Sequence, residues 1–233
     1  VQATVFGEHL VLHRRIEADL GGDEIRLTDH VVNAGFRPTP HMLFYHVNLG
    51  HPLLDQGSRL VAPVADVVWA GHAGAASRAQ GVGYRHVPAP QALFSEQVWQ
   101  HEMGADASGA VPVAVVNDRL GLGFAMVTQK AELPCTYQWQ YFQSGNYAMA
   151  IEPSTHHVLG NQAARDRGEM IWLNAQDSRD YHLRFTILDG AAAIAKVEAA
   201  ITAITRQPDG DFPEPSGNFR PLTRGQTTKE TPI

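Results

Sequence analysis

Apolar and polar positions alternate with period 2 along most of this chain, the signature of half-buried β-strands. Leu10, Leu12, Ile16 and Ala18 recur at even spacing, and beyond Gly21-Gly22-Asp23 the alternation resumes over Glu24 to Thr28, which predicts a hairpin. Val111 to Val116 and Phe124 to Thr128 form a second pair around a turn-rich stretch, and Tyr137 to Phe142 and Tyr147 to Glu152 a third around Ser144-Gly145-Asn146. Met170 to Leu173 is a further strand. So is Tyr181 to Leu188, where Tyr181, Leu183, Phe185 and Ile187 alternate with His182, Arg184 and Thr186. After a break at Asn33 to Pro40, the run Met42 to Leu49, rich in large residues, reads as one more strand.

Two stretches depart from this period. Ile194, Val197, Ile201 and Ile204 fall on one helical stripe, which predicts an amphipathic helix over Ala191 to Thr205. Pro63 to Pro90 keeps no period and is broken by glycines at 71–74 and 81–83, so a long loop with short strands is expected there. The pattern as a whole predicts an all-β domain with one helix over residues 1–206. The remainder, 207–233, is rich in Pro, Gly, Asp, Ser and Thr and reads as an extended or mobile tail.

Composition narrows the partners. The net charge is −6 and no block of Lys or Arg stands out, so neither nucleic acid nor an anionic membrane surface is expected. No apolar run approaches the ~20 residues of a membrane span. The single Cys135 cannot form an internal disulfide; it reads as a small buried hydrophobe, and a cytoplasmic location is the default expectation. The chain opens at Val1 without an initiator Met, as a processed or truncated product would.

Alternation over Met42 to Leu49 sets Met42, Phe44, His46 and Asn48 on one face and Leu43, Tyr45, Val47 and Leu49 on the other. On Tyr147 to Glu152 it sets Ala148, Ala150 and Glu152 together, small residues beside a carboxylate. Trp139 shares a face with Tyr137 and Tyr141, which fits core packing, although Trp139 or Trp99 could also offer a flat wall to a sugar ring. His101 shares a face with Gln97 and Trp99 if that segment is a strand. His46, His101 and Glu152 together have the composition of a divalent metal site for Zn, Mn or Fe, but no ligand spacing marks one. His156-His157 is isolated, and Gly121-Leu122-Gly123 lacks the context of a nucleotide loop.

Two stretches, Tyr45-His46-Val47-Asn48-Leu49-Gly50 and Ile151-Glu152-Pro153-Ser154-Thr155, with Pro52-Leu53-Leu54 and Gln138-Trp139, resemble the aldose 1-epimerase, or galactose mutarotase-like, superfamily. More closely they resemble a poorly characterised branch of it, over about Gly7 to Leu188. The resemblance implies a large antiparallel β-sandwich, the supersandwich of that superfamily, and a small-molecule sugar as ligand. It implies Glu152 as base at the anomeric hydroxyl, His46 as proton donor to the ring oxygen, Asn48 as a hydroxyl partner, and His101 and Trp139 reaching the same pocket. No cofactor is implied. Here His46 lies two residues before the Asn, where classical epimerases have it four before, at Phe44; the parity is the same. A second catalytic His and additional strands that the superfamily carries before the equivalent of Phe6 have no counterpart. A non-catalytic carbohydrate-binding domain and a metal-dependent sugar isomerase or lyase are the alternatives.

Overall fold

The computed structural model describes residues 2–5, 8–71, 79–205, 210 and 213–222. Two antiparallel sheets pack face to face. The larger runs β1-β2-β3-β14-β10-β9-β6, built from β1 (Gln2–Val5), β2 (Glu8–Ala18), β3 (Glu24–Asn33), β14 (Ser178–Asp189), β10 (Leu122–Gln129), β9 (Ala110–Asn117) and β6 (Arg59–Val61). The smaller runs β5-β12-β11-β8-β7, from β5 (Val47–Leu49), β12 (Asn146–Ser154), β11 (Cys135–Gln143), β8 (Gln97–Met103) and β7 (Val64–Ala70). A two-stranded ribbon, β4 (Thr39–His41) with β13 (Ile171–Leu173), stands beside them. The architecture is the all-β sandwich that the period-2 pattern predicts.

Parity explains most of the packing. On β3 the odd positions Leu27, Asp29, Val31 and Asn33 are buried while the even ones are partly exposed. Leu27 and Val31 join Tyr181 and Leu183 of β14 and Met126 of β10 in one core between the sheets. β9 is buried on both faces, which is why its sequence reads as a nearly unbroken apolar run. Val111, Val113 and Val115 face the main core. Ala114 and Val116 face outward and are covered by α2 (Ala191–Ile204) through Ile194 and Ile201. Each buried isoleucine contributes on the order of 2 kcal/mol to holding that helix down. A six-residue helix, α1 (Asn161–Asp166), follows β12.

One sequence expectation changes. Met42 to Leu49 is not one strand: regular pairing covers only Val47 to Leu49, with an isolated bridge from Phe44 to Ser154. The predicted alternation survives the break, because Phe44, His46 and Asn48 are exposed while Tyr45 and Leu49 are buried. Part of the expected loop from Pro63 is the seven-residue β7, whose pairing with β8 is interrupted by two register shifts that erase its period; residues 72–78 of that expected loop lie outside the described residues. Within residues 213–222 of the tail, Ser216 and Gly217 run against β7 of the small sheet. The Ser216 and Gly217 N–H groups donate to the Val67 and Val68 carbonyls at 2.9 and 3.0 Å, and Phe219 meets the His157 ring edge-on at 5.1 Å between centroids. No helix among the described residues is long and apolar enough to cross a membrane.

Candidate active site

The outer face of the small sheet, turned away from the core, gathers most of the chemistry-bearing side chains. Side chains directly opposite one another on antiparallel strands share a face. One such row crosses four strands as Asn48, Ala150, Trp139 and Val98. The next row holds Glu152, Tyr137 and Gln100, and on the other side Ala148 faces Tyr141. Ala148 and Ala150 leave the sheet surface low between the edge strand and the aromatic pair Trp139 and Tyr141. Those two rings stack at 6.0 Å with 21° between their planes.

His46 leans over this surface from the irregular segment before β5. Its ring lies 5.7 Å from Trp139 and 6.4 Å from Phe44, and its Nε2 is 2.7 Å from Glu152 Oε1. The two partners differ in access: the His46 side chain is 45% exposed and that of Glu152 only 4%, so the carboxylate is reached past the imidazole. Burial pushes the Glu152 carboxyl up to about 7, and the Glu96 carboxylate adds to the rise. An N–H donated by His46 favours the carboxylate form and acts against it. The carboxyl thus titrates near neutrality, the range useful for general acid–base work, while in contact with an imidazole.

His46 and Glu152 are in direct contact, with no gap between them. His101 is not part of this surface at all. It belongs to the odd set of β8 and is buried between the sheets, its Nε2 bonded to Gln138 Oε1 at 3.0 Å and its ring 5.0 Å from Tyr84. Burial lowers its pKa to about 4, against the raising effect of the Gln138 bond, so it is a neutral core histidine. Trp99 is on the same inner face, its indole N–H donated to Gln140 Oε1 at 3.1 Å. The trio His46, His101 and Glu152 therefore cannot share a metal ion. Among the described residues no group of three or more His, Cys, Asp and Glu side chains could hold one.

Trp139, for which core packing was the stronger reading, is half-buried on the open face. Asn48 is exposed on the edge strand, directly opposite Ala150. His156 and His157 have structural partners: His156 Nε2 donates to the Glu169 carbonyl at 3.0 Å, and His157 Nε2 to the Arg220 carbonyl of the tail at 3.0 Å. Gln100 donates to His157 Nδ1 at 2.6 Å, and this fastens the tail along the side of the site row that ends in Glu152. Phe44, which packs on Tyr137 at 5.7 Å, and Glu96 also belong to the site. Phe44 could have been found from its parity with His46. Glu96 could not, because nothing local marks it.

The family model described as a domain of unknown function (DUF4432) matches residues 1–187. No protein of curated function matches the chain. Among solved structures, the chain is similar to a candidate aldose 1-epimerase from Klebsiella pneumoniae, at 23% identity and a TM-score of 0.81, covering 94% of this chain and 57% of that one. It is also similar to a galactose mutarotase related enzyme from Lactobacillus acidophilus, at 13% identity and a TM-score of 0.54, covering 80% and 66% of the two chains. For an aldose epimerase homologue from C. elegans the values are 12%, 0.54, 80% and 63%. At these identities the likeness shows the fold, the galactose mutarotase-like β-sandwich, and this chain spans less than two thirds of their lengths.

Proposed function

The chain belongs to the family described as a domain of unknown function, DUF4432, and from that premise we propose that it binds a sugar and catalyses exchange at the sugar's anomeric centre. The observation that carries the reading is the 2.7 Å contact between exposed His46 and buried Glu152, beside an aromatic surface of Trp139 and Tyr141. A pyranose has an apolar face that packs on such rings, with Asn48 within the same row to meet a hydroxyl.

Ring opening needs a proton removed from the anomeric hydroxyl and one delivered to the ring oxygen, and both oxygens are bonded to the same carbon. Adjacent carriers therefore suit the reaction. Starting with the shared proton on His46, the Glu152 carboxylate takes the hydroxyl proton and the C1–O1 bond becomes a carbonyl. The C1–O5 electron pair moves to the ring oxygen, which takes the proton from His46. Glu152 then returns its proton to His46 through their direct contact, which restores the pair. Closure after rotation about C1–C2 runs the same steps backwards. No cofactor enters.

The test is anomer exchange in a panel of neutral aldoses, followed by NMR with wild type and Glu152→Gln. The expected result is acceleration by wild type and loss of it in a variant that still binds. Equal exchange with both proteins removes Glu152 as the base. One observation favours a second reading, a non-catalytic carbohydrate-binding domain: His46 and Glu152 already occupy each other. In that case sugar binds and neither protein accelerates exchange. No binding to any sugar of the panel rejects both readings.

A further inference from the structure

The segment that delivers His46 has little regular pairing of its own, so something else must fix where the imidazole stands. Between the ribbon strand β4 and the start of β5 at Val47, its backbone is tied to β12 and the residue after it. The Thr155 N–H donates to the Leu43 carbonyl at 3.0 Å, and the Tyr45 N–H to the Pro153 carbonyl at 3.0 Å. The second bond joins the residue before His46 to the residue after Glu152. It is the clamp that sets the two side chains next to each other.

Tyr45 has a second anchor, in the opposite direction. Its side chain points into the core, is 7% exposed, and its hydroxyl donates to Asp29 Oδ2 at 2.7 Å. Asp29 lies on β3 of the large sheet and is fully buried. Arg14, directly opposite it on β2, donates Nε to Oδ1 at 2.7 Å and Nη2 to Oδ2 at 2.6 Å. The carboxylate thus has a two-pronged charged partner and one further donor, and a buried carboxylate short of a donor is costly. Burial and the Asp29 bond also raise the Tyr45 pKa, which keeps the phenol protonated as that donor. Arg14, Asp29 and Tyr45 therefore form a rigid strut from one sheet to the backbone beside His46.

We propose that Tyr45 is a positioning residue for His46, held through Asp29 by Arg14, and that this strut keeps the imidazole against Glu152. The proposal rests on reading His46 and Glu152 as the acid–base pair for its effect on rate, but not for its effect on geometry. Tyr45→Phe keeps the ring and removes the tie. In the full chain, kcat for anomer exchange should fall about tenfold or more with KM changed less than about twofold, as small misplacement of a reacting group does. The His46 ring resonances, identified among the twelve histidines by their loss in His46→Gln, should shift.

Arg14→Gln, altered at the 42% exposed end of the strut, should move the same resonances in the same direction by less, and it supplies the answer if Tyr45→Phe does not fold. Unchanged His46 resonances in a folded variant with a lowered melting temperature overturn the proposal and leave Tyr45 purely structural. If wild type does not accelerate exchange, the functional reading fails while the His46 resonances still decide this one.

Discussion

The two faces of the small sheet draw on the same residue types from the same strands, and they differ in what their polar atoms meet. Inward, His101, Gln138, Gln140 and Trp99 bond to one another or to the backbone of 83–84, and they are buried. Outward, one residue away in sequence, Trp139 lies half-open and His46 bonds to Glu152 at the surface. A histidine buried on the inner face is held neutral and fixed. A histidine on the outer face keeps access to solvent and contact with a carboxyl group. Chemistry in a sheet is thus assigned by parity as much as by residue type.

The largest test of that contrast is Glu152→Gln. Anomer exchange should fall by about 10²–10⁴, the usual worth of a general base, while the variant becomes more stable at alkaline pH. The sign follows from the pKa. Glu152 ionises at about 7 when folded against an ordinary 4.5, so its contribution to stability is fully present below 4.5 and is lost as pH rises through 7. Melting curves at pH 4 and pH 8 should separate wild type and variant only at the higher pH.

A paired substitution sharpens the comparison. His46→Gln should slow exchange about 10²-fold and change stability by under ~0.5 kcal/mol. His101→Ala should cost on the order of 2–4 kcal/mol in urea unfolding, through the cavity and the stranded Gln138 amide, with kcat per folded molecule nearly unchanged. Acid stability provides the next, smaller effect. His101 and His41, both lowered to about 4 by burial, contribute stability above 6.5 that is lost as pH falls towards 4. His101→Gln should therefore flatten the fall in melting temperature over that window. Smallest of all, Trp139→Phe should raise KM a few-fold, about 1 kcal/mol of ring contact, at constant kcat.

Much of this was legible in the sequence where a local signal existed. The turn at Gly21-Gly22 joins β2 and β3, and the apolar stripe of α2 is as predicted. The set Phe44, His46 and Asn48 kept its face even where the strand failed, because parity survives a loss of pairing. His101 was misplaced for a related reason: alternation groups Gln97, Trp99 and His101 but does not say which group faces the core. The His46–Glu152 contact is set by backbone bonds between the segment before β5 and the end of β12, some hundred residues apart, and no local pattern encodes it. Asp29 did carry a readable mark. It is a charge on the buried parity of β3, between Leu27 and Val31, and the register fixed by the preceding turn sets Arg14 opposite it.

The tail segment along β7 has a consequence for how the molecule behaves in a concentrated solution. A sheet margin with unpaired carbonyls recruits strands from other molecules. Here the Val67 and Val68 carbonyls, offered beside the register shift between Val67 and Trp69, are already taken by Ser216 and Gly217 of the same chain. The segment thus covers part of an open sheet margin while contributing nothing to either sheet's core, and its removal should expose that margin to strands of other molecules.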